Sequence, residues 1–151
     1  KAVAFGEALS PEFAAYAHRI VDNARALGES LQGAGMRLVS GGTDTHLLLV
    51  DLTPIELTGR AAEEALGKVG IYVNRNAIPY DTKSPRVTSG LRIGTPCVTS
   101  RGMGPAEMQS IGRMIIRVLT NLEDSVAERE VREEVAGLTN RFPAPGVTDT
   151  A

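Results

Sequence analysis

The side chains best suited to chemistry lie between Asn74 and Pro96. Asn74 and Asn76 each offer an amide with donors and an acceptor. Ser84-Pro85 forms a rigid corner. Further on, Ser89-Gly90-Leu91-Arg92-Ile93-Gly94-Thr95-Pro96 sets an arginine among apolar residues, with small residues on both sides. An arginine on an apolar strand requires a partner, because an unpaired buried charge is costly. That partner is either a carboxylate of the protein or a ligand carboxylate held by both arms of the guanidinium. Ion pairs within a protein are the commoner case, so the pattern alone favours the first. The chemistry on offer is the gripping of an anion rather than the making of a bond.

Other chemistries find little support. His18 and His46 are the only histidines, and neither has Cys, Asp or Glu at metal-ligand spacing. His18 reads as a helix-surface residue. Cys97 has no base near it in sequence and reads as structural. Gly41-Gly42-Thr43 is too short for a phosphate cradle and is not followed by Gly-Lys-Ser or Gly-Lys-Thr.

These residues must be placed by the elements around them. Ser10-Pro11-Glu12 starts a helix with a serine cap, a proline at the first position and an acid near the positive end of the dipole. Phe13, Ala17, Ile20, Val21, Ala24, Leu27 and Leu31 then recur at helical spacing, and Gly33 and Gly35 end it. Met36 to Ser40 reads as a short strand, Gly41 to Asp44 as a tight turn, and His46 to Leu52 as a central strand. Thr58 caps a helix whose apolar side carries Ala61, Ala62, Ala65, Leu66 and Val69; Gly70 closes it. Ile71 to Asn74 reads as a strand, Arg75 to Arg86 as an irregular exposed loop of the kind that carries function, and Val87 to Ile93 as a strand again. A third helix opens at Pro105 and turns Met108, Ile111, Ile115 and Val118 or Leu119 inward. A fourth, more charged, runs from Glu123 to Leu138, and a frayed tail is expected from Pro143. Strand pairs with helices between them predict an α+β or α/β two-layer sandwich.

The 151 residues suffice for one domain with a core. With 42% hydrophobic and 23% charged residues the composition is that of a soluble globular chain. Sixteen basic against eighteen acidic side chains, evenly spread, give a net charge of −2 and no basic stripe for nucleic acid. No apolar run approaches the length of a membrane span. A single cysteine excludes an internal disulfide and suits a reducing cytosol. Lys1 to Phe5 shows neither an initiator Met nor a signal-peptide pattern, so a processed chain or a piece of a longer one is expected.

Four stretches together resemble a known family. Ser40-Gly41-Gly42-Thr43-Asp44-Thr45-His46-Leu47, Val73-Asn74-Arg75-Asn76, Ser84-Pro85 and Thr88-Ser89-Gly90-Leu91-Arg92-Ile93-Gly94-Thr95-Pro96 look like motifs of serine hydroxymethyltransferase, in the family's order and spacing. The likeness runs from Lys1 to about Phe142. It implies residues 1–142 as the C-terminal small domain of a fold-type I pyridoxal-phosphate enzyme, an α/β two-layer sandwich with a mostly antiparallel sheet. Residues 143–151 are left as a flexible tail.

The family interconverts serine plus tetrahydrofolate with glycine plus 5,10-methylenetetrahydrofolate, using pyridoxal 5'-phosphate. The resemblance therefore reverses the reading of Arg92: its counterpart grips the carboxylate of the amino-acid substrate. Asn76, Ser84, Pro85 and Arg86 match positions along the folate. Arg86 departs from an apolar or aromatic residue usual there and offers instead a partner for folate's anionic glutamate tail. Thr45 stands where many members have Asn, in a turn read as structural, and Arg75 replaces a common Lys.

The resemblance also implies that the Schiff-base lysine, the phosphate site and the acid-base groups belong to a large domain upstream. Lys1, Lys68 and Lys83 match no such motif, Lys1 falls inside a helix of the complete enzyme, and this chain holds no catalytic residue. The implied partners are the large domain and a homodimer or homotetramer, in the cytoplasm. Two alternatives stand beside this reading. One is a related hydroxymethyltransferase or aldolase acting on α-methylserine or another β-hydroxy amino acid. The other is a non-catalytic interaction module that retains the fold.

Overall fold

The computed structural model describes residues 1–146. Helix α1 spans Ala2–Ala8 and α2 spans Pro11–Gly33. Ser10 caps α2 by accepting the Phe13 N–H at 3.2 Å, as the Ser-Pro-Glu signature predicts. Strands β1 (Arg37–Leu38) and β2 (Leu47–Asp51) follow, then α3 (Gly59–Lys68), β3 (Asn74–Asn76), β4 (Gly90–Gly94), α4 (Pro96–Ser100), α5 (Pro105–Leu119) and α6 (Ser125–Arg141). The four strands form one antiparallel sheet in the order β1-β2-β4-β3.

The sheet has two faces of opposite character, and strand periodicity decides which residue lies on which. Leu38, Leu48, Val50, Leu91 and Ile93 share one face and are all buried. They join Leu27 and Leu31 of α2, Leu66 of α3, Met108 and Ile115 of α5 and Val131 of α6 in a single core. Among the described residues no helix covers the other face. On it lie Leu47, Leu49, Arg92, Asn74 and Asn76, half-buried or exposed. The predicted two-layer sandwich is therefore present, with every strand pair antiparallel.

Strand limits differ from the sequence reading for local reasons. The first strand stops at Leu38 because Ser40 and Gly41 both turn to φ +71°. Ile71 to Val73 leaves the ladder, and Ile71 and Val73 pack against the core instead; pairing starts at Asn74, opposite Arg92. The last strand starts at Gly90, because Thr88 takes a left-handed φ of +57° that no ladder residue adopts. The charged helix runs to Arg141, started by Asp124, whose carboxylate accepts the Val126 and Ala127 N–H groups. Helix α4 lies in a stretch from which the sequence reading drew no helix, and α1 where only the resemblance implied one. Of the expected tail, residues 143–146 are described, and residues 147–151 lie outside the described residues.

Helix α3 meets the sheet at a position where only glycine fits. A Cβ on Gly59 would stand 2.2 Å from the Thr88 hydroxyl and 2.5 Å from the Gly90 carbonyl oxygen. The Gly59 and Arg60 N–H groups donate to the carbonyls of Thr88 and Val87, both at 3.0 Å, so the free end of the helix is satisfied by the residues leading into β4. Because the second obstacle is backbone, Gly59→Ala is expected to destabilise by about 2 kcal/mol or more. Denaturant unfolding of the variant checks this.

Candidate functional site

Arg92 sits near the middle of the sheet, in β4, with Leu49 of β2 on one side and Asn74 of β3 on the other. The C-terminal end of its strand is held by α2. Thr95, just beyond β4, donates its hydroxyl to the Ile20 carbonyl of α2 at 2.8 Å. Asn23 of α2 donates to the Thr99 hydroxyl at 2.8 Å and the Met103 carbonyl at 3.0 Å. The Gly-Thr-Pro end of the motif thus anchors β4 to α2.

Comparison with Arg37 sharpens the meaning of this placement. Both arginines project from the open face of the sheet. Arg37 pairs with Asp51 at 2.6 Å, and Asp51 is 1% exposed and also accepts the N–H and hydroxyl of Thr53. Among the described residues Arg92 makes neither an ion pair nor a side-chain hydrogen bond, whereas Arg25, Arg60, Arg75, Arg117, Arg132 and Arg141 each meet a carboxylate. Its guanidinium is exposed, so its charge is solvated and needs no protein carboxylate. The pattern-based alternative of a saturated internal pair is not what the structure contains.

Arg92 opens into a cleft of about 860 Å³, which Asn76 also lines. The opposite wall is the turn from Ser40 to Thr45. Thr43 braces that turn by donating its hydroxyl to the Leu47 carbonyl at 2.6 Å and accepting the Thr45 N–H at 3.1 Å. The sequence reading gave this turn a structural role and missed that it walls the cleft. The available signal was the pairing of β2 with β4, which brings the residues before Leu47 beside those after Arg92. Ser84, Pro85 and Arg86 do not line this cleft; they stand exposed on the loop that joins β3 to β4. The two groups of expected site residues therefore occupy neighbouring places rather than one pocket.

That loop is ordered by a residue the sequence reading did not single out. The Asp81 carboxylate accepts the N–H groups of Ile78 (3.2 Å), Lys83 (2.9 Å) and Ser89 (2.8 Å) and the Ser89 hydroxyl (2.8 Å). These bonds favour the charged form. The Lys83 N–H is the largest influence, burial opposes it, and the Ser89 hydroxyl and the other N–H groups add to it, holding the carboxyl at about 2 against an ordinary 3.8. The folded pKa is the depressed one, so the contribution to stability is complete above about pH 4 and is lost as pH falls through about 2. Asp81→Asn is expected to flatten the unfolding midpoint between those limits. Circular dichroism of both proteins across that range checks it.

Near the second end of the loop, buried Thr88 keeps its left-handed backbone by donating its N–H to Ser84 O and accepting from Gly59 N. Such strain in a β-branched residue persists only where the surroundings over-determine it. Arg75, by contrast, turns to the helix side and binds Glu63 of α3 at 2.7 Å, which leaves it a structural role.

Neither histidine lines the cleft: His18 and His46 are exposed, and His46 stands between Thr45 and Leu47, which do line it. Cys97 is exposed on α4. No cluster of three metal-ligating side chains occurs among the described residues, and none of their helices is long and apolar enough to cross a membrane. The cleft contains no lysine; Lys68 ends α3 and Lys83 lies in the β3–β4 loop. A pyridoxal phosphate carried on a lysine does not fit the residues of this chain alone. What the cleft does fit is a small carboxylate facing Arg92, beside an amide at Asn76.

Comparison with known proteins gives the family. Residues 1–115 match the family model described as serine hydroxymethyltransferase. The chain is 56% identical over 143 residues to a serine hydroxymethyltransferase of Myxococcus xanthus (strain DK1622) and 52% identical over 149 residues to one of Methylobacterium sp. (strain 4-46). Each match covers 95% of this chain and 34% of the relative, so the chain spans about a third of the length of these relatives. On the extent of the family match and this level of identity, the chain belongs to the serine hydroxymethyltransferase family.

Proposed function

We propose that this chain is the C-terminal part of an enzyme that interconverts serine plus tetrahydrofolate with glycine plus 5,10-methylenetetrahydrofolate, and that it supplies contacts to both substrates. The observation that carries the reading is the unpaired Arg92 at the floor of an open cleft. Its planar fork matches both oxygens of an amino-acid carboxylate, which fixes the amino acid in place as well as in charge. Asn76, in the same cleft, offers its amide to the pterin edge of tetrahydrofolate. Ser84, Pro85 and Arg86 extend that contact outward along the aminobenzoyl group, with Arg86 toward the anionic tail.

The remaining groups belong to a large domain outside this chain, which holds pyridoxal 5'-phosphate and the residues that move protons. That domain would cover the open face of the sheet. Helix α1 supports the same docking: it has no buried residue, and Val3, Phe5 and Leu9 are 77%, 68% and 88% exposed. The complete protein is expected to act in the cytoplasm as a homodimer or homotetramer. The test is an assay of the full-length protein with pyridoxal phosphate bound. Glycine released from serine in proportion to added tetrahydrofolate is the expected result. Release of glycine at the same rate without tetrahydrofolate would contradict the assignment of the loop.

A further inference from the structure

Asp81 stands between the two groups of site residues without belonging to either. Its carboxylate bonds to Ile78, two residues beyond Asn76, and to Ser89, the residue before β4. It also bonds to Lys83, next to the Ser84–Arg86 corner. The backbone ladder between β3 and β4 ends at the pair Asn76 and Gly90, so beyond that pair this carboxylate takes over the work of joining the two chains. Gly90 permits the join: a Cβ there would lie 2.7 Å from Ile78 Cγ2 and 2.9 Å from the Asn76 carbonyl oxygen.

We propose that Asp81 is a positioning residue for the folate co-substrate: by clipping Ile78, Lys83 and Ser89 together it sets where Asn76 and the Ser84–Arg86 corner stand relative to Arg92. The inference rests on the proposed reading that this loop faces tetrahydrofolate. An asparagine in its place presents an NH₂ where one carboxylate oxygen now accepts a backbone N–H, so at least one of those donors loses its acceptor. The loop then loses its fixed shape, while Arg92, held by ladders on both sides, keeps its own.

The experiment uses the full-length holoenzyme and three variants. Asp81→Asn is expected to raise the KM for tetrahydrofolate by about tenfold, the size of one lost charge-assisted hydrogen bond, and to leave the KM for serine nearly unchanged. Ser89→Ala removes one of the four bonds and is expected to raise the same KM by a few-fold; it decides the matter if Asp81→Asn does not fold. Asn76→Ala reports on the underlying reading. If Asn76→Ala raises the tetrahydrofolate KM while Asp81→Asn and Ser89→Ala lower only the melting temperature, Asp81 is structural and the inference is overturned with the reading intact. If Asn76→Ala leaves that KM unchanged, the folate reading of the loop fails and the inference falls with it.

Discussion

Arg92→Ala in the complete enzyme is expected to weaken serine binding by roughly a hundredfold or more and to lower kcat, with little change in melting temperature. The size follows from losing two charge-assisted hydrogen bonds, each contributing about 1.5–3 kcal/mol, partly offset by water at an open site. The fall in kcat follows because an amino acid no longer held at its carboxylate spends less time in the reactive orientation. Arg92→Lys keeps the charge and loses the fork, so an intermediate loss of about tenfold in affinity is expected. Stability should move by less than about 0.5 kcal/mol in both variants, since Arg92 is exposed and meets no carboxylate of the described residues. Arg37 supplies the contrast. Removing it leaves the buried Asp51 charge without its guanidinium, so Arg37→Ala should lower the melting temperature with serine affinity unchanged.

The 151-residue chain by itself is expected to convert no serine, with or without pyridoxal phosphate and tetrahydrofolate. Its cleft contains no lysine to carry the cofactor, and among the described residues no histidine or acid-base pair lines it beside Arg92. Among the described residues the only carboxylate lining the cleft, Asp44, is exposed and pairs with Arg25 at 3.5 Å. Grip without an electron sink leaves the bond to be cleaved as strong as in solution. Measured turnover above the buffer blank by the purified chain would contradict the division of labour proposed for it.

Much of the architecture was legible in the sequence, and the legible parts share a cause. Ser10-Pro11, Thr58 and Pro105 start helices through local chemistry that needs no distant partner, and each stands where expected. The apolar run Leu47-Leu48-Leu49-Val50 predicted a central strand, and pairing of β2 with both β1 and β4 confirms it. Strand ends were less legible because they depend on partners. Nothing in Ile71-Tyr72-Val73 reveals that the ladder with β4 begins only at Asn74.

The site divides in the same way. Arg92 stood out as a charge among apolar residues, but whether it was paired depended on what the other strands placed beside it. Asp81 was invisible for the same reason: an aspartate in a polar loop looks like a solvated residue until Ile78 and Ser89 are seen to converge on it. The turn from Ser40 to Thr45 became a wall of the cleft only through the pairing of β2 with β4.

The central claim is that Arg92 reads the carboxylate of the amino acid, and one comparison tests it directly. Serine and serinamide differ at that group: the first presents an anion with two acceptor oxygens, the second a neutral amide with one. Their affinities are to be measured for the full-length holoenzyme and for Arg92→Ala. The account predicts that the unaltered enzyme prefers serine by roughly a hundredfold, on the scale of a bidentate charged pair, and that Arg92→Ala binds the two about equally. If Arg92→Ala is as selective for serine as the unaltered enzyme, another group reads the carboxylate and the account is wrong.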